Sequence, residues 1–173
     1  NAKDTIKKLK KNGIKKVVMM TGDSDRTAKA IAKKVGIDEY YSEVLPEDKA
    51  KFVDKEIAMG HSVIMIGDGI NDSPALSKAD VGIAMNHGAQ VAKEIADITI
   101  DGEDLSQIVT LLKISKSLMK RINRNYRTIV SFNSGLIVMG VAGIIAPTTS
   151  ALLHNASTLA IGLSSMKDLD LER

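Results

Sequence analysis

Met65-Ile66-Gly67-Asp68-Gly69-Ile70-Asn71-Asp72-Ser73-Pro74-Ala75-Leu76 runs from an apolar segment through a glycine-rich acidic turn into a helix start. Two carboxylates, Asp68 and Asp72, and the amide of Asn71 fall within five residues of one another at the end of a predicted buried strand. This pattern suits a Mg²⁺ ion held beside a phosphoryl group, because Mg²⁺ takes one or two carboxylates and fills its shell with phosphate oxygens and water. Glycine at this turn lets backbone approach a phosphate with no Cβ in the way. The plainer alternative is an ordinary strand-to-helix turn with Asp caps. The segments on either side supply matching parts and favour the first reading.

Working outward, residues 1–12 pattern as an amphipathic helix with Ile6 and Leu9 on one face, closed by Gly13. Ile14–Met20 reads as a short buried strand. Thr21-Gly22-Asp23 is a turn, and Ser24 or Asp25 caps a helix that runs to Val35 and Gly36. Tyr40–Val44 is a second strand. Leu45-Pro46-Glu47-Asp48-Lys49 opens a helix, with Pro46 near its first position and acids at its positive end. That helix ends at Gly60. Ser62–Ile66 is a third strand leading into the Asp68 turn. A short helix over Pro74–Ala79, a strand over Val81–Met85, a helix over Val91–Ala96 and a strand over Asp97–Ile100 complete the pattern. Strands alternating with helices predict an α/β fold, a parallel sheet flanked by helices. Ligands in such sheets bind at the carboxyl ends of strands, where both Thr21–Asp23 and Asp68–Asp72 fall.

Charge divides the chain. Residues 1–104 hold 16 Lys and Arg against 18 Asp and Glu, whereas residues 105–167 hold seven basic residues and no acid. Leu105–Tyr126 reads as a long helix carrying Lys113, Lys116, Lys120, Arg121 and Arg124, with Arg127 just beyond. Ile129–Ala146 then contains no charge, Pro147-Thr148-Thr149 breaks the run, and Ala151–Leu163 is again apolar. Spanning a bilayer takes about 20 apolar residues, with a range of about 17–25. The pair therefore predicts a two-helix transmembrane hairpin over 128–167, with both ends cytoplasmic by the positive-inside rule. Gly135, Gly140, Gly143 and Gly162 suit close helix packing in lipid. A buried hairpin in a soluble protein is the alternative. The expected divisions are thus 1–104 for the α/β portion, 105–127 for a basic linker helix, 128–167 for the membrane pair and 168–173 for a short tail.

Composition excludes some chemistry. There is no cysteine, so no thiol nucleophile, thiolate metal site or disulfide. Two Phe, three Tyr and no Trp leave no stacking platform for single-stranded nucleic acid, and no nucleic-acid partner is expected. No secretory signal pattern opens the sequence, which begins with a Lys-rich segment.

Three segments carry the candidate site. The Thr21 hydroxyl and Gly22 N–H suit phosphate oxygens, and Asp23 suits support of the loop or of a nucleotide. Lys49 suits neutralising phosphoryl charge, although a solvated helix lysine is its plain alternative. Asp68 is the leading Mg²⁺ ligand, Asn71 a donor to a phosphoryl oxygen, and Asp72 a support for the loop or the metal's water shell. Phosphoryl transfer is mostly positioning and charge stabilisation, which these groups supply. No acidic residue with its own strand-end turn precedes Thr21 as a nucleophile. In the apolar half, Asn133, His154, Asn155, Ser157 and Thr158 are the polar groups at depth and hence candidates for a transported ion's path. Interhelical hydrogen bonding is the alternative for Asn133, Ser157 and Thr158. Imidazole suits transition metals, and hydroxyl and carbonyl oxygens suit Mn or Mg.

Thr21-Gly22-Asp23, Leu45-Pro46-Glu47-Asp48-Lys49 and Gly67-Asp68-Gly69-Ile70-Asn71-Asp72 stand in the order and approximate spacing of the haloacid-dehalogenase superfamily. With Ser73-Pro74-Ala75-Leu76 and Ala79-Asp80-Val81-Gly82-Ile83-Ala84-Met85, the sequence resembles the phosphorylation domain of P-type ATPases. The apolar pair is similar to the last membrane helices of the heavy-metal-transporting branch. The resemblance implies a haloacid-dehalogenase-like fold in which Thr21 and Gly22 touch an aspartyl phosphate and Lys49 steadies it. Asp68 would bind Mg²⁺, with Asn71 and Asp72 beside it. It implies ATP-driven metal-cation transport through that aspartyl phosphate, in a bacterial plasma membrane, with residues 1–127 cytoplasmic. The family's Asp-Lys-Thr-Gly-Thr motif, nucleotide-binding domain, actuator domain and earlier membrane helices are absent from these 173 residues. The chain is therefore expected to be a carboxyl-terminal fragment, inactive alone, whose partners are the remainder of the transporter and the lipid bilayer. A soluble phosphatase of the same superfamily and a non-catalytic Mg²⁺/phosphate-binding module are the alternatives.

Overall fold

The computed structural model describes residues 2–85, 90–100 and 104–169. The chain divides into two compact units, residues 1–110 and 111–173.

In the first unit, α1 (Ala2–Lys11) leads to β1 (Val18–Met20), α2 (Asp25–Val35), β2 (Glu39–Tyr41) and α3 (Pro46–Ala58). Then come β3 (Ile64–Gly67), a 3₁₀ turn over Ile70–Asp72, α4 (Ser73–Lys78), β4 (Val81–Met85), α5 (Gln90–Ile95) and β5 (Ile98–Ile100). The helix boundaries follow local chemistry. Pro46 occupies the first turn of α3, where its missing N–H costs nothing. Gly36 closes α2 in the left-handed conformation, φ 85°, with its N–H on the Ala32 carbonyl.

All strand pairs are parallel, as expected, but they form two sheets rather than one. β1 pairs with β2, and β3, β4 and β5 pair in that order. Registers run Val18↔Glu39 to Met20↔Tyr41, Ile64↔Val81 to Gly67↔Ala84, and Ile83↔Ile98 to Met85↔Ile100. The first two strands are also shorter or shifted relative to the sequence expectation. Ahead of β1, the Val17 N–H donates to the Asp38 carboxylate at 2.8 Å instead of to a strand. Asp38 also accepts from Lys10, and these two bonds, the lysine's first, hold its carboxyl below the ordinary value.

The core sits under β3 and β4. Val53 of α3 and Leu76 of α4 are 1% exposed, as is Ile83 of β4. Ala50, Val53 and Ala75 form one cluster, Leu76, Ala84 and Ala92 another, and Met65 packs against both. Each such Val, Leu or Ile stabilises the fold by about 1.5–3 kcal/mol. At Gly82 a Cβ would lie 2.7 Å from the Leu76 carbonyl oxygen, so α4 can rest on β4 only because position 82 has no side chain.

α6 (Ser106–Val141) starts in the first unit and continues into the second, followed by α7 (Pro147–Ser165). The helix runs on to Val141, past its expected end at Tyr126. Polarity changes there, but no breaker residue interrupts the helix. Gly143, φ 71°, turns the chain between α6 and α7. Among the described residues, no helix is long and apolar enough to cross a membrane. The expected transmembrane hairpin therefore stands here as a pair of helices only. The reason lies in the helix bounds. The uncharged part of α6, Thr128 to Val141, is about 20 Å long at 1.5 Å per residue, against a hydrocarbon core of about 30 Å. α7 carries Thr148, Thr149, Ser150, His154, Asn155, Ser157 and Thr158, which dilute its apolar character.

Candidate phosphoryl-transfer site

A cleft of about 1030 Å³ opens between the edge of β1 and the edge of β3, with Val18, Met20, Ile64 and Ile66 along its walls. At the carboxyl ends of the two strands it is lined by Thr21, Gly22, Lys49, Asp68 and Asp72. Five of the sequence-predicted site residues, drawn from three separate segments, thus share one cavity.

Asp72 is the fixed point of this group. Its carboxylate is buried, and Lys49 Nζ donates to Oδ1 at 2.8 Å, with the two side chains 14% and 11% exposed. Oδ2 lies 3.4 Å from the Asp68 backbone N–H. The 3₁₀ turn places Asp72 against Gly67. A Cβ at Gly67 would come within 2.5 Å of Asp72 Cβ and 2.9 Å of Oδ2. Gly67 is therefore required so that the Asp72 side chain can fold back under the loop. The Asp68 side chain remains exposed at the mouth.

Opposite, Thr21 follows β1 directly. Its N–H bonds the Tyr41 carbonyl at 3.0 Å and its carbonyl accepts from Val44 N–H at 3.0 Å. Thr21 Oγ1 donates to Asp23 Oδ2 and accepts from the Asp23 N–H, both at 3.1 Å, so Asp23 braces the turn. Gly22 has nothing within 4 Å of where a Cβ would stand, which leaves its backbone open to the cleft. Asp23 and Asn71 are exposed on the two loops and are not part of the cleft wall.

These donors fit a hard cation and a phosphate group. Asp68 presents an exposed carboxylate, whereas the Asp72 oxygens already face Lys49 and the Asp68 N–H. One carboxylate with phosphate and water completes a Mg²⁺ shell without a dedicated protein cage. Among the described residues, no group of three or more His, Cys, Asp or Glu is placed to hold a metal on its own.

The sequence did not single out Ser73. Its hydroxyl is buried beside Asp72, 7% exposed, with no hydrogen-bond partner. Nor did the sequence pair Lys49 with Asp72, which lie 23 residues apart.

In the second unit, His154 Nδ1 lies 2.9 Å from Asn133 Oδ1, which joins two of the ion-path candidates. Ser157 Oγ and Thr158 Oγ1 both donate to the His154 carbonyl, at 2.8 and 3.0 Å. These two hydroxyls are used within α7. The structure gives Asn155 no hydrogen bond that would link it to this group.

Residues 1–80 match a family described as haloacid dehalogenase-like hydrolase, and residues 52–112 match a second family of the same description. By these matches the chain carries a haloacid dehalogenase-like domain. Over 167 residues, 96% of the chain, the sequence is 39% identical to a manganese-exporting P-type ATPase of Mycobacterium leprae. It is equally similar to a zinc-exporting P-type ATPase of Mycobacterium marinum, and 42% identical to a copper-exporting P-type ATPase of Staphylococcus epidermidis. Its backbone resembles a zinc-transporting PIB-type ATPase in the E2.Pi state, with TM-score 0.83 and 34% identity over 92% of this chain and 26% of that one. A 3-deoxy-D-manno-octulosonate 8-phosphate phosphatase shares the fold at TM-score 0.55 and 20% identity. The chain spans 21–23% of the length of the curated relatives it matches. The haloacid dehalogenase-like domain thus matches heavy-metal P-type ATPases, with the helical unit included in the matched region.

Proposed function

We propose that this chain is the carboxyl-terminal part of a heavy-metal P-type ATPase and supplies half of its phosphoryl-transfer site. The carrying observation is the cleft between β1 and β3, with Thr21, Gly22, Lys49, Asp68 and Asp72 gathered at the carboxyl end of both strands. Among the described residues, β1 and β3 each present an edge to this cavity that pairs with no other strand, which suits an inserted strand, and a strand placed there would end among these five residues. The remainder of the transporter would supply that strand together with the phosphorylated aspartate and the ATP-binding domain.

On this reading Asp68 holds Mg²⁺, which neutralises phosphoryl charge. Thr21 Oγ1 and the Gly22 N–H donate to phosphoryl oxygens. Lys49, anchored by Asp72, places a cation beside them, and Asn71 adds a donor at the rim. The relatives' manganese, zinc and copper export names a transition-metal cation as the cargo class. Residues 128–167 would lie in a bacterial plasma membrane among further helices, with residues 1–127 cytoplasmic. The apolar residues exposed on α6 and α7, such as Ile137, Val138, Leu152 and Leu159, support that placement. The Asn133–His154 pair would line the cargo's path.

Phosphoenzyme formation from ATP tests the assignment. In the complete transporter, Asp68→Ala should abolish Mg²⁺-dependent phosphorylation while leaving membrane abundance unchanged. Normal phosphoenzyme in that variant would sink the reading.

A further inference from the structure

The second unit carries a feature that phosphoryl transfer and cargo binding leave unused. Lys113, Lys116, Lys120, Arg124 and Arg127 follow one another at spacings of three and four, which puts them on one face of α6. The stripe is about 20 Å long at 1.5 Å per residue. Lys116, Lys120, Arg124 and Arg127 are exposed. It ends where the uncharged part of α6 begins, at Thr128.

Arg121 lies off this line and is used differently. Its guanidinium donates to the Ser165 carbonyl at 2.9 Å and to the Lys167 and Asp168 carbonyls at 2.5 Å. Asn125 Nδ2 donates to Ser165 Oγ at 2.7 Å. This clasp ties the carboxyl end of α7 to α6 and brings Lys167 to the same end of the hairpin as the stripe. Asp168 is the one acid among the described residues of this unit.

We infer that the lower part of the stripe, Lys120, Arg124 and Arg127, with Lys167 beside it, binds the phosphate of anionic phospholipid headgroups. The inference rests on the membrane placement proposed above. Three features point to it. Arg124 and Arg127 lie within about 6 Å of Thr128 along the helix, which is headgroup depth, and Lys120 lies about 12 Å from it, at the outer edge of that layer: the polar layers add about 5–8 Å to each side of the hydrocarbon core. Guanidinium forks match phosphate oxygens in bidentate geometry. And a juxtamembrane basic segment gains attraction from each added Lys or Arg near an anionic surface.

The test is the complete transporter in nanodiscs of phosphatidylcholine and phosphatidylglycerol, carrying trace spin-labelled phosphatidylglycerol or phosphatidylcholine. The fraction of motionally restricted label reports headgroup preference. The wild type should retain phosphatidylglycerol several-fold over phosphatidylcholine. In K120Q/R124Q/R127Q the ratio should fall to about one, with Arg121 intact and α-helical circular dichroism unchanged. Equal retention of the two lipids by the wild type overturns the inference. So does a preference that survives the triple substitution. Inorganic phosphate at 50 mM and constant ionic strength should not displace the lipid; displacement as complete as the triple substitution would assign the site to a soluble anion instead. A transporter that separates from the discs when detergent is removed would overturn the membrane placement itself, and this inference with it.

Discussion

Replacing either partner of the Lys49–Asp72 pair should unsettle the first unit, and replacing both should cost less than the two losses added. The pair is short, 2.8 Å, with side chains 14% and 11% exposed. Removing one member of a buried pair costs about 3–5 kcal/mol, because the other charge is left without a partner. Lys49→Met keeps the stem's packing but leaves the Asp72 carboxylate, 11% exposed, without its partner charge. It should cost about 3 kcal/mol, the low end, because the Asp68 N–H still faces Oδ2. Asp72→Asn leaves a lysine whose flexible stem can carry the ammonium toward the cleft mouth, so it should cost about 2 kcal/mol. The double variant should cost about 3 kcal/mol rather than 5, a coupling of about 2 kcal/mol. Native-state hydrogen exchange on the β3–β4 amides reads these differences, since core strands open only with global unfolding of their unit. Additivity within about 0.5 kcal/mol would refute the reasoning and leave Lys49 as a solvated helix lysine.

Three further outcomes follow from the same packing. Gly82→Ala should destabilise the first unit by about 1–3 kcal/mol, read by the same exchange, because its Cβ meets the Leu76 backbone carbonyl at 2.7 Å and backbone yields little. Ser73→Ala should raise stability by about 1 kcal/mol, since it removes a buried hydroxyl with no partner; a measured loss would reveal a bond that this hydroxyl makes. Asp38 has a folded carboxyl held below its unfolded value, so its contribution is present above about pH 4 and is lost as pH falls through the lowered folded value. Asp38→Asn should therefore cost about 1 kcal/mol or less at pH 7, the pair being over a third exposed, and should cost nothing at low pH, as urea titrations at the two pH values would register.

Much of the fold is legible locally. The Pro46 helix start, the Gly36 stop and the apolar runs at 64–66 and 81–85 fix elements through short-range chemistry. The parts of the candidate site are legible as compact motifs: Thr21–Asp23 and Asp68–Asp72 occupy strand ends, as their turn residues require. What local pattern does not contain is pairing. That β1 and β3 stand apart across a cleft depends on tertiary spacing, and that Lys49 meets Asp72 depends on how α3 crosses the 3₁₀ turn. The Asp38 carboxylate that takes the Val17 N–H and so delays the start of β1 lies 21 residues from Val17. The helix end expected at Tyr126 rests on polarity, but polarity decides where a helix is buried, not where it stops. Gly143 and Pro147 stop and restart it. His87 lies outside the described residues, as does the tail from residue 170.

The central claim is that the cleft between β1 and β3 is completed by a strand from the rest of the transporter. Hydrogen exchange on the backbone amides of Val18–Met20 and Ile64–Gly67 addresses it most directly, comparing this chain alone with the complete protein. The account predicts that the amides facing the cleft exchange rapidly in the chain alone and at least about 100-fold more slowly in the complete transporter, as paired strand amides do. Equal exchange in the two would mean that nothing pairs with these edges, and the half-site account would fall.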